Sequence, residues 1–194
     1  MHHIDTFGSP VFAKPRRLAS DRVKIAKMEF KHMLDLDHMR PSNTNYASPL
    51  HLVLKKGSED WRPVGDYRAL TSQTKRDRYP ILRVLDFNGE LHGTQIFLHV
   101  NLVKAFHQIP IAPEDIHKIA LCIPFGLFES TRMQFGLCNA STTFQRFMDV
   151  VTRVLDGVYA FIDDILIASQ SYEQHIEHLR TLFSRLDHYG LKIK

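Results

Sequence analysis

The sequence predicts an α+β fold, on three observations. Short runs rich in Ile, Val, Phe and Tyr, each bounded by Gly, Pro, Asp or Ser, recur through the middle of the chain and read as strands. Two segments, one near each end, instead repeat apolar residues at three- and four-residue steps, the helical period. Finally, 194 residues of which 44% are hydrophobic can bury a core as one domain or two tightly joined subdomains. Strands backed by helices are the architecture these patterns combine into.

Taken in order, residues 1–18 read as a linker-like opening. Ser20 or Asp21 then caps a helix in which Val23, Ala26, Phe30, Met33 and Leu34 form one face, running to about Met39 and closed by Pro41. Residues 51–55 and 61–67 read as strands joined by the charged turn 56–60, with Gly57 and Ser58 at its tip. Residues 95–103 form a strongly apolar strand, and 117–123 with 127–133 a hairpin turned by Pro124 to Gly126. Asn139 or Ser141 caps a helix reaching about Leu155. Residues 159–169, Y-A-F-I-D-D-I-L-I-A-S, are two apolar runs meeting at Asp163 and Asp164, a hairpin with two acids at its tip. Ser171 with Gln174 then makes a capping-box pattern, and Ile176, Leu179, Phe183 and Leu186 form an apolar face ending at Gly190. The sequence holds no internal repeat, no low-complexity tract and no linker beyond the first twenty residues.

Several classes of function are set aside by composition. No apolar run approaches the roughly 18 to 20 residues needed to span a bilayer, and the N-terminus lacks the apolar core of a signal peptide, so an intracellular setting, cytoplasmic or nuclear and without membrane, is expected. Cys122 and Cys138 stand far apart with no C-x-x-C pattern, which indicates neither a disulfide framework nor a zinc site and reads as two buried thiols. A formal charge of +4 suits a polyanionic partner but is too modest to indicate one. His175 and His178 lie three apart around Glu177 on the last helix; the apolar face through Ile176 and Leu179 places both histidines in solvent.

The chemistry concentrates at Asp163 and Asp164. Neighbouring strand residues point to opposite faces, so adjacent carboxylates serve one site only where the backbone turns, as this hairpin does. Clustered carboxylates suit Mg²⁺, a hard cation that shares its oxygen ligands with water and substrate phosphates. An isolated Asp-Asp is equally ordinary turn chemistry, and the rest of the chain must decide.

It does so through a series of motifs. W-R-P-V-G-D-Y-R-A-L from Trp61, V-N-L-V-K-A-F-H-Q-I-P-I from Val100 and M-Q-F-G-L-C-N-A-S-T-T-F-Q-R-F-M from Met133 precede the hairpin. With them stand H-H-I-D-T and P-R-R-L in the first 18 residues, Y-A-S-P-L-H-L-V from Tyr46, D-R-Y-P-I from Asp77 and P-F-G-L-F-E from Pro124. In this order and spacing the chain resembles the reverse transcriptase of gypsy-type LTR retrotransposon Pol polyproteins. The resemblance implies the fingers and palm of a right-hand polymerase over residues 19–194, with an antiparallel palm sheet backed by helices. It implies an RNA-directed DNA polymerase that transfers deoxynucleotides to a primer 3′ hydroxyl on an RNA or DNA template, by a mechanism using two Mg²⁺ ions, with Mn²⁺ as a substitute.

Residue by residue, the resemblance makes Asp163 and Asp164 metal ligands and places a further catalytic acid where this chain has Asn101, since the family reads I-D-L where Val100, Asn101 and Leu102 stand. Lys55 and Arg62 match the fingers' basic residues that meet the triphosphate. Ala105 and Phe106 fall where an aromatic ring under the sugar excludes a 2′ hydroxyl. Phe135 and Gly136 match the pair lining the nucleotide pocket, and Gln145 and Arg146 could approach the template or form a solvated face. Asn101 keeps an oxygen donor but loses a charge; a loss of about 4 kcal/mol of transition-state stabilisation would slow the reaction roughly a thousandfold. Thr71 where the family has Asn, and Gln134 and Ser141 where it has Pro, are softer departures. The family continues past L-K-I into a primer grip, thumb, connection and RNase H region, so a complete polymerase would draw those parts from another chain. An inactive nucleic-acid-binding fragment and a decayed retrotransposon remnant are the alternative expectations.

Overall fold

The strand-forming runs assemble into two sheets. The computed structural model describes residues 1–54, 57, 59–81, 84–87 and 89–194. In chain order the helices and strands are α1 (Ser20–Asp35), β1 (Met39–Pro41), β2 (Ser48–Leu54), β3 (Trp61–Gly65), α2 (Arg68–Ser72) and β4 (Ile96–Asn101). They continue with β5 (Leu121–Ile123), β6 (Gly126–Ser130), α3 (Ala140–Val151), β7 (Val158–Phe161), β8 (Asp164–Ser169) and α4 (Tyr172–His188). The chain divides into two units, Met1–Arg76 with Phe106–Ala140 and Asp77–Ala105 with Ser141–Lys194.

The first unit holds a five-stranded sheet in the order β1-β6-β5-β2-β3, in which β2 and β5 are parallel and the other pairs antiparallel. Helix α1 buries Ala26, Phe30 and Met33, and the Phe30 ring meets Phe125 and Phe128 edge-on at 5.8 and 5.5 Å. The helix stops four residues short of the expected Met39. Asp37 turns into the left-handed region at φ 54°, and Met39 to Pro41 become β1, so Pro41 ends a short strand and not a helix. The N-cap is Ala19, without a side-chain bond; Ser20 is the first helical residue. The β2–β3 pair is the hairpin expected in this region, with β2 starting at Ser48; Lys55, Lys56 and Ser58 of its turn lie outside the described residues. Residues 113–119, expected to enter a strand at His117, form a 3-10 helix begun by Pro113, which confines the β5–β6 hairpin to three and five residues.

Residues 1–18 are tied down along this unit. His2 pairs with Ile111, Thr6 with Thr74 and Phe12 with Ala47, and the buried Ile4 donates its N–H to Asp115 at 2.8 Å. His2 is itself buried, which pushes its pKa down from the ordinary histidine value to about 4.

The second unit holds a three-stranded antiparallel sheet, β4-β8-β7. Its pleat sorts residues as a half-buried strand should. Val100, Ile165, Ile167, Val158 and Ala160 form the buried face, while Asn101, Asp164, Leu166, Tyr159 and Phe161 form the other. Helix α4 packs against β8. It is capped as expected: Ser171 Oγ accepts the Gln174 N–H, and Gln174 Oε1 reaches back to the Gln170 N–H at 2.9 Å. Of the expected face Leu186 is buried, Ile176 and Leu179 are half-buried and Phe183 is exposed, while His175 and Leu182 complete the buried side. His175 is only 7% exposed, and Ser169 Oγ lies 2.9 Å from Nδ1 of both His175 and His178. The two imidazoles therefore satisfy a buried serine and are not a solvent-facing pair. Helix α3 ends at Val151, short of Leu155, and buries Phe144, Met148 and Val151. Among the described residues no helix is long and apolar enough to cross a membrane.

Candidate active site

The acidic hairpin forms as the sequence indicates. Phe161 pairs with Asp164, so the turn between β7 and β8 is the two residues Ile162 and Asp163. Two-residue hairpin turns need a positive φ at their first position, which normally selects Gly, Asn or Asp. Here that residue is Ile162, at φ 54°. A β-branched residue in this region carries strain of about 1–3 kcal/mol, which the surroundings must offset.

Asn101 stands directly opposite Asp164 across the β4–β8 pair, on the same face of the sheet. Its strand is held there from both sides. The Leu102 N–H donates to the Asp163 carbonyl at 3.1 Å, and the Lys194 N–H donates to the Asn101 carbonyl at 2.9 Å. The structure thus brings Asn101, Asp163 and Asp164 to one end of one sheet. His99, two residues before Asn101, joins them: its Nε2 lies 3.4 Å from Asp164 Oδ1, with both side chains about half exposed. Two carboxylates and an amide oxygen are donors suited to a hard divalent cation. The −2 of the pair offsets one such ion; with two ions, half of the metal charge is left uncompensated.

The hairpin is anchored from α3 by Gln145, which is 1% exposed. Its Oε1 accepts the Ile162 N–H at 2.8 Å, while its Nε2 donates to the Ala160 carbonyl at 3.0 Å and to Asp149 Oδ1 at 2.8 Å. Tyr79 donates its hydroxyl to the other Asp149 oxygen, a hydrogen bond that, with partial burial, raises the Tyr79 pKa. Arg146 stacks its guanidinium over the Tyr79 ring at 4.5 Å and donates to Asp77 at 2.8 and 3.0 Å. Of the two residues expected either to approach the template or to form a solvated face, Gln145 is buried and spent on internal partners, whereas Arg146 is exposed with its guanidinium engaged by Asp77 and Tyr79.

The expected nucleotide-contacting residues of the first unit also come together. The exposed Arg62 guanidinium lies 5.2 Å over the Phe135 ring, and Phe106 meets the same ring edge-on at 4.7 Å. Gly136, at φ 89°, holds a left-handed conformation that favours glycine, and a Cβ there would press on the Gly65 carbonyl at 3.3 Å. Gly65 is required by space alone, because a Cβ would come 2.4 Å from the Tyr67 ring. Asp66 is paired with Arg68 and Arg16, and the Arg68 hydrogen bond above all holds its carboxyl down at about 2. Ala105, the last residue of the second unit's first segment, is buried at the start of the 3-10 turn Ala105–Gln108, and Lys55 lies outside the described residues.

The departure at 134 is absorbed locally. Gln134 is buried and donates to Ser130 Oγ at 2.7 Å, so a polar residue has found a polar partner. Burial raises the Cys122 thiol pKa, and its Sγ donates to the Ala13 carbonyl; Cys138, expected to be buried too, is partly exposed. Among the described residues the His, Asp and Glu side chains that bring three donor atoms within 4.8 Å of one another are His3, Glu114 and Asp115, and there Asp115 is already engaged by Lys118 and by the Ile4 N–H.

Comparison with known proteins agrees with these motifs. A family model described as "Reverse transcriptase (RNA-dependent DNA polymerase)" matches residues 53–194. The chain is 36% identical to the retrovirus-related Pol polyprotein from transposon 297 of Drosophila melanogaster, across 97% of this chain and 18% of that protein. It is 33% identical to the corresponding polyprotein from transposon gypsy of the same organism, across 85% of this chain and 17% of that one. The chain thus spans under a fifth of the length of these relatives. The fold matches the foamy viral protease-reverse transcriptase dRH in complex with ds DNA at a TM-score of 0.90, with 17% identity, across 97% of this chain and 33% of that one.

Proposed function

Because the chain belongs to the reverse transcriptase (RNA-dependent DNA polymerase) family, we propose that its site serves template-directed transfer of deoxynucleotides to a primer 3′ hydroxyl, weakened at one metal-binding position. The observation that carries this reading is the convergence of Asp163, Asp164 and Asn101 at one end of the β4–β8–β7 sheet. Asp163 and Asp164 would hold divalent cations, Mg²⁺ or Mn²⁺, with the Asn101 amide oxygen as a third donor. Bound there, the ions would supply charge for lowering the 3′ hydroxyl pKa and for steadying the departing pyrophosphate. Arg62, with Lys55, would orient the triphosphate through charge-assisted hydrogen bonds. Phe106, held against Phe135, would exclude a 2′ hydroxyl by shape, and Gly136 would let the backbone approach the nucleotide. Template and primer would be bound as RNA or DNA, in keeping with the ds DNA named for the foamy viral neighbour.

Asn101 favours a second reading, a nucleic-acid-binding domain without useful catalysis. It predicts weak, sequence-independent binding whose logarithm falls linearly with the logarithm of salt concentration. The experiment that separates the two is extension of a labelled template-primer by this chain joined to a family thumb and connection region, with the chain as it stands, as Asn101→Asp, and with Asp163 and Asp164 both changed to Asn. The polymerase reading predicts at least a hundredfold rise for Asn101→Asp and loss of extension in the double variant. Extension indifferent to all three substitutions would overturn it.

A further inference from the structure

We propose that Gln145 is the positioning residue of the acidic hairpin, and that Tyr79 and Asp149 lock it in that role. The inference rests on the reading of Asp163 and Asp164 as the metal-holding pair. A buried glutamine whose two ends are satisfied is in itself unremarked packing. Two features set this one apart. The backbone groups it binds, the Ile162 N–H and the Ala160 carbonyl, flank the strained turn immediately before Asp163. The residue it holds, Ile162, adopts φ 54°, a conformation its β-branched side chain resists.

The amide can act in one orientation only. Oε1 faces a donor, the Ile162 N–H; Nε2 faces two acceptors, the Ala160 carbonyl and Asp149 Oδ1. Rotating the amide by half a turn would set donor against donor and acceptor against acceptors. Asp149 therefore dictates which way Gln145 points, and Asp149 is fixed in turn by the Tyr79 hydroxyl. Tyr79 is held by its own segment. Its N–H donates to Asp77 Oδ1 at 3.0 Å, and Arg146, the neighbour of Gln145 on α3, stacks on its ring while binding Asp77. The D-R-Y-P motif thus gains a mechanical role, transmitted through one helix to the turn that aims the acids.

The test is amide hydrogen exchange on the ¹⁵N-labelled full chain. Gln145→Met keeps the shape and removes every hydrogen bond. It should accelerate exchange of the Ile162 amide at least tenfold relative to Ile165 and Ile167, fully buried residues of β8. Asp149→Asn and Tyr79→Phe, at partly buried positions, should each accelerate it about threefold, and they decide the matter if Gln145→Met does not fold. The double change Gln145→Glu with Asp149→Asn restores a donor–acceptor pair between the two side chains and keeps an acceptor for the Ile162 N–H, while the Ala160 carbonyl loses its donor. Exchange at Ile162 should be slower in it than in Gln145→Met, whereas simple packing predicts the double variant to be worse than either single one. The proposal is overturned if the Ile162 amide tracks Ile165 and Ile167 in these variants. Mn²⁺ broadening of the Asp163 and Asp164 amides is recorded in the same samples. If the unaltered chain shows none, the metal reading falls, while exchange at Ile162 still decides whether Gln145 positions the turn.

Discussion

Replacing Asn101 by Asp is the substitution whose consequences the geometry sets most directly. Residues directly opposed across an antiparallel pair have Cβ atoms about 4.5–5.5 Å apart, and Asn101 is opposed to Asp164. Asn101 is exposed and Asp164 half-exposed, so the effective dielectric lies between that of a protein surface and that of water. Without metal, two carboxylates about 5 Å apart repel by about 1–2 kcal/mol at a dielectric of roughly 40–80. For a chain of this size that lowers Tm by about 2–8 °C. A divalent ion about 4 Å from the added charge gains about 2–4 kcal/mol over the same dielectric range, or roughly thirtyfold to a thousandfold in affinity. Calorimetric titration with Mn²⁺ and Mg²⁺, beside thermal unfolding with and without the ions, reads both numbers. Asn101→Asp should be the less stable protein without metal and the tighter binder with it. Equal affinity in the two proteins would refute the claim that position 101 faces the same ion as Asp164.

Other outcomes follow from the first unit. The Asp66 carboxyl is held at about 2 when folded and returns to its ordinary value near 3.8 when unfolded; its stabilisation is complete above about pH 4 and is lost as pH falls toward 2. Unfolding midpoints at pH 6 and pH 2.5 should therefore differ less in Asp66→Asn than in the unaltered chain. His2, depressed to about 4 by burial from 6.5, stabilises the docked N-terminal segment fully above about pH 6.5 and progressively less down to pH 4. Exchange protection of the Ile4 amide should fall through that window, and His2→Asn should flatten the fall. Arg62→Ala should weaken deoxynucleoside triphosphate binding at low salt and lose its effect as salt rises, which a binding titration at two ionic strengths checks. Phe106→Ala removes a half-buried ring, at a cost of about 2 kcal/mol, and should narrow the difference in affinity between deoxy- and ribonucleotides.

What could be read from the sequence was what is local. The acidic hairpin, the Ser171 cap, the β2–β3 pair and the apolar steps of α1 each depend on residues within a few positions of one another, and each is present. Features set by distant partners were not legible. His175 reads as a surface residue until Ser169 is folded beneath it, and Phe183 reads as core until α4 is seen to roll toward Leu182. The end of α1 was missed because Asp37 stops it with a left-handed turn that no Gly announces. The N-terminal residues look like a linker by composition, yet backbone pairing with residues far along the chain docks them. Of the candidate site residues, Asn101, Asp163 and Asp164 were identifiable from motifs, His99 lies outside every motif, and Gln145, inside one, reads as a template contact or a solvated residue and not as the buried anchor it is. The one hint for Gln145 was a polar residue beside Phe144 on the apolar side of an otherwise amphipathic helix.

The central claim is that the end of the β4–β8–β7 sheet is where this chain holds a divalent cation, and paramagnetic mapping tests it most directly. With sub-stoichiometric Mn²⁺ added to the ¹⁵N-labelled chain, the amides of Asn101, Ile162, Asp163 and Asp164 should broaden first, Mg²⁺ should reverse the broadening, and Asp163→Asn with Asp164→Asn should abolish it. Broadening centred instead on His3, Glu114 and Asp115, or unchanged when both hairpin acids are removed, would contradict the account.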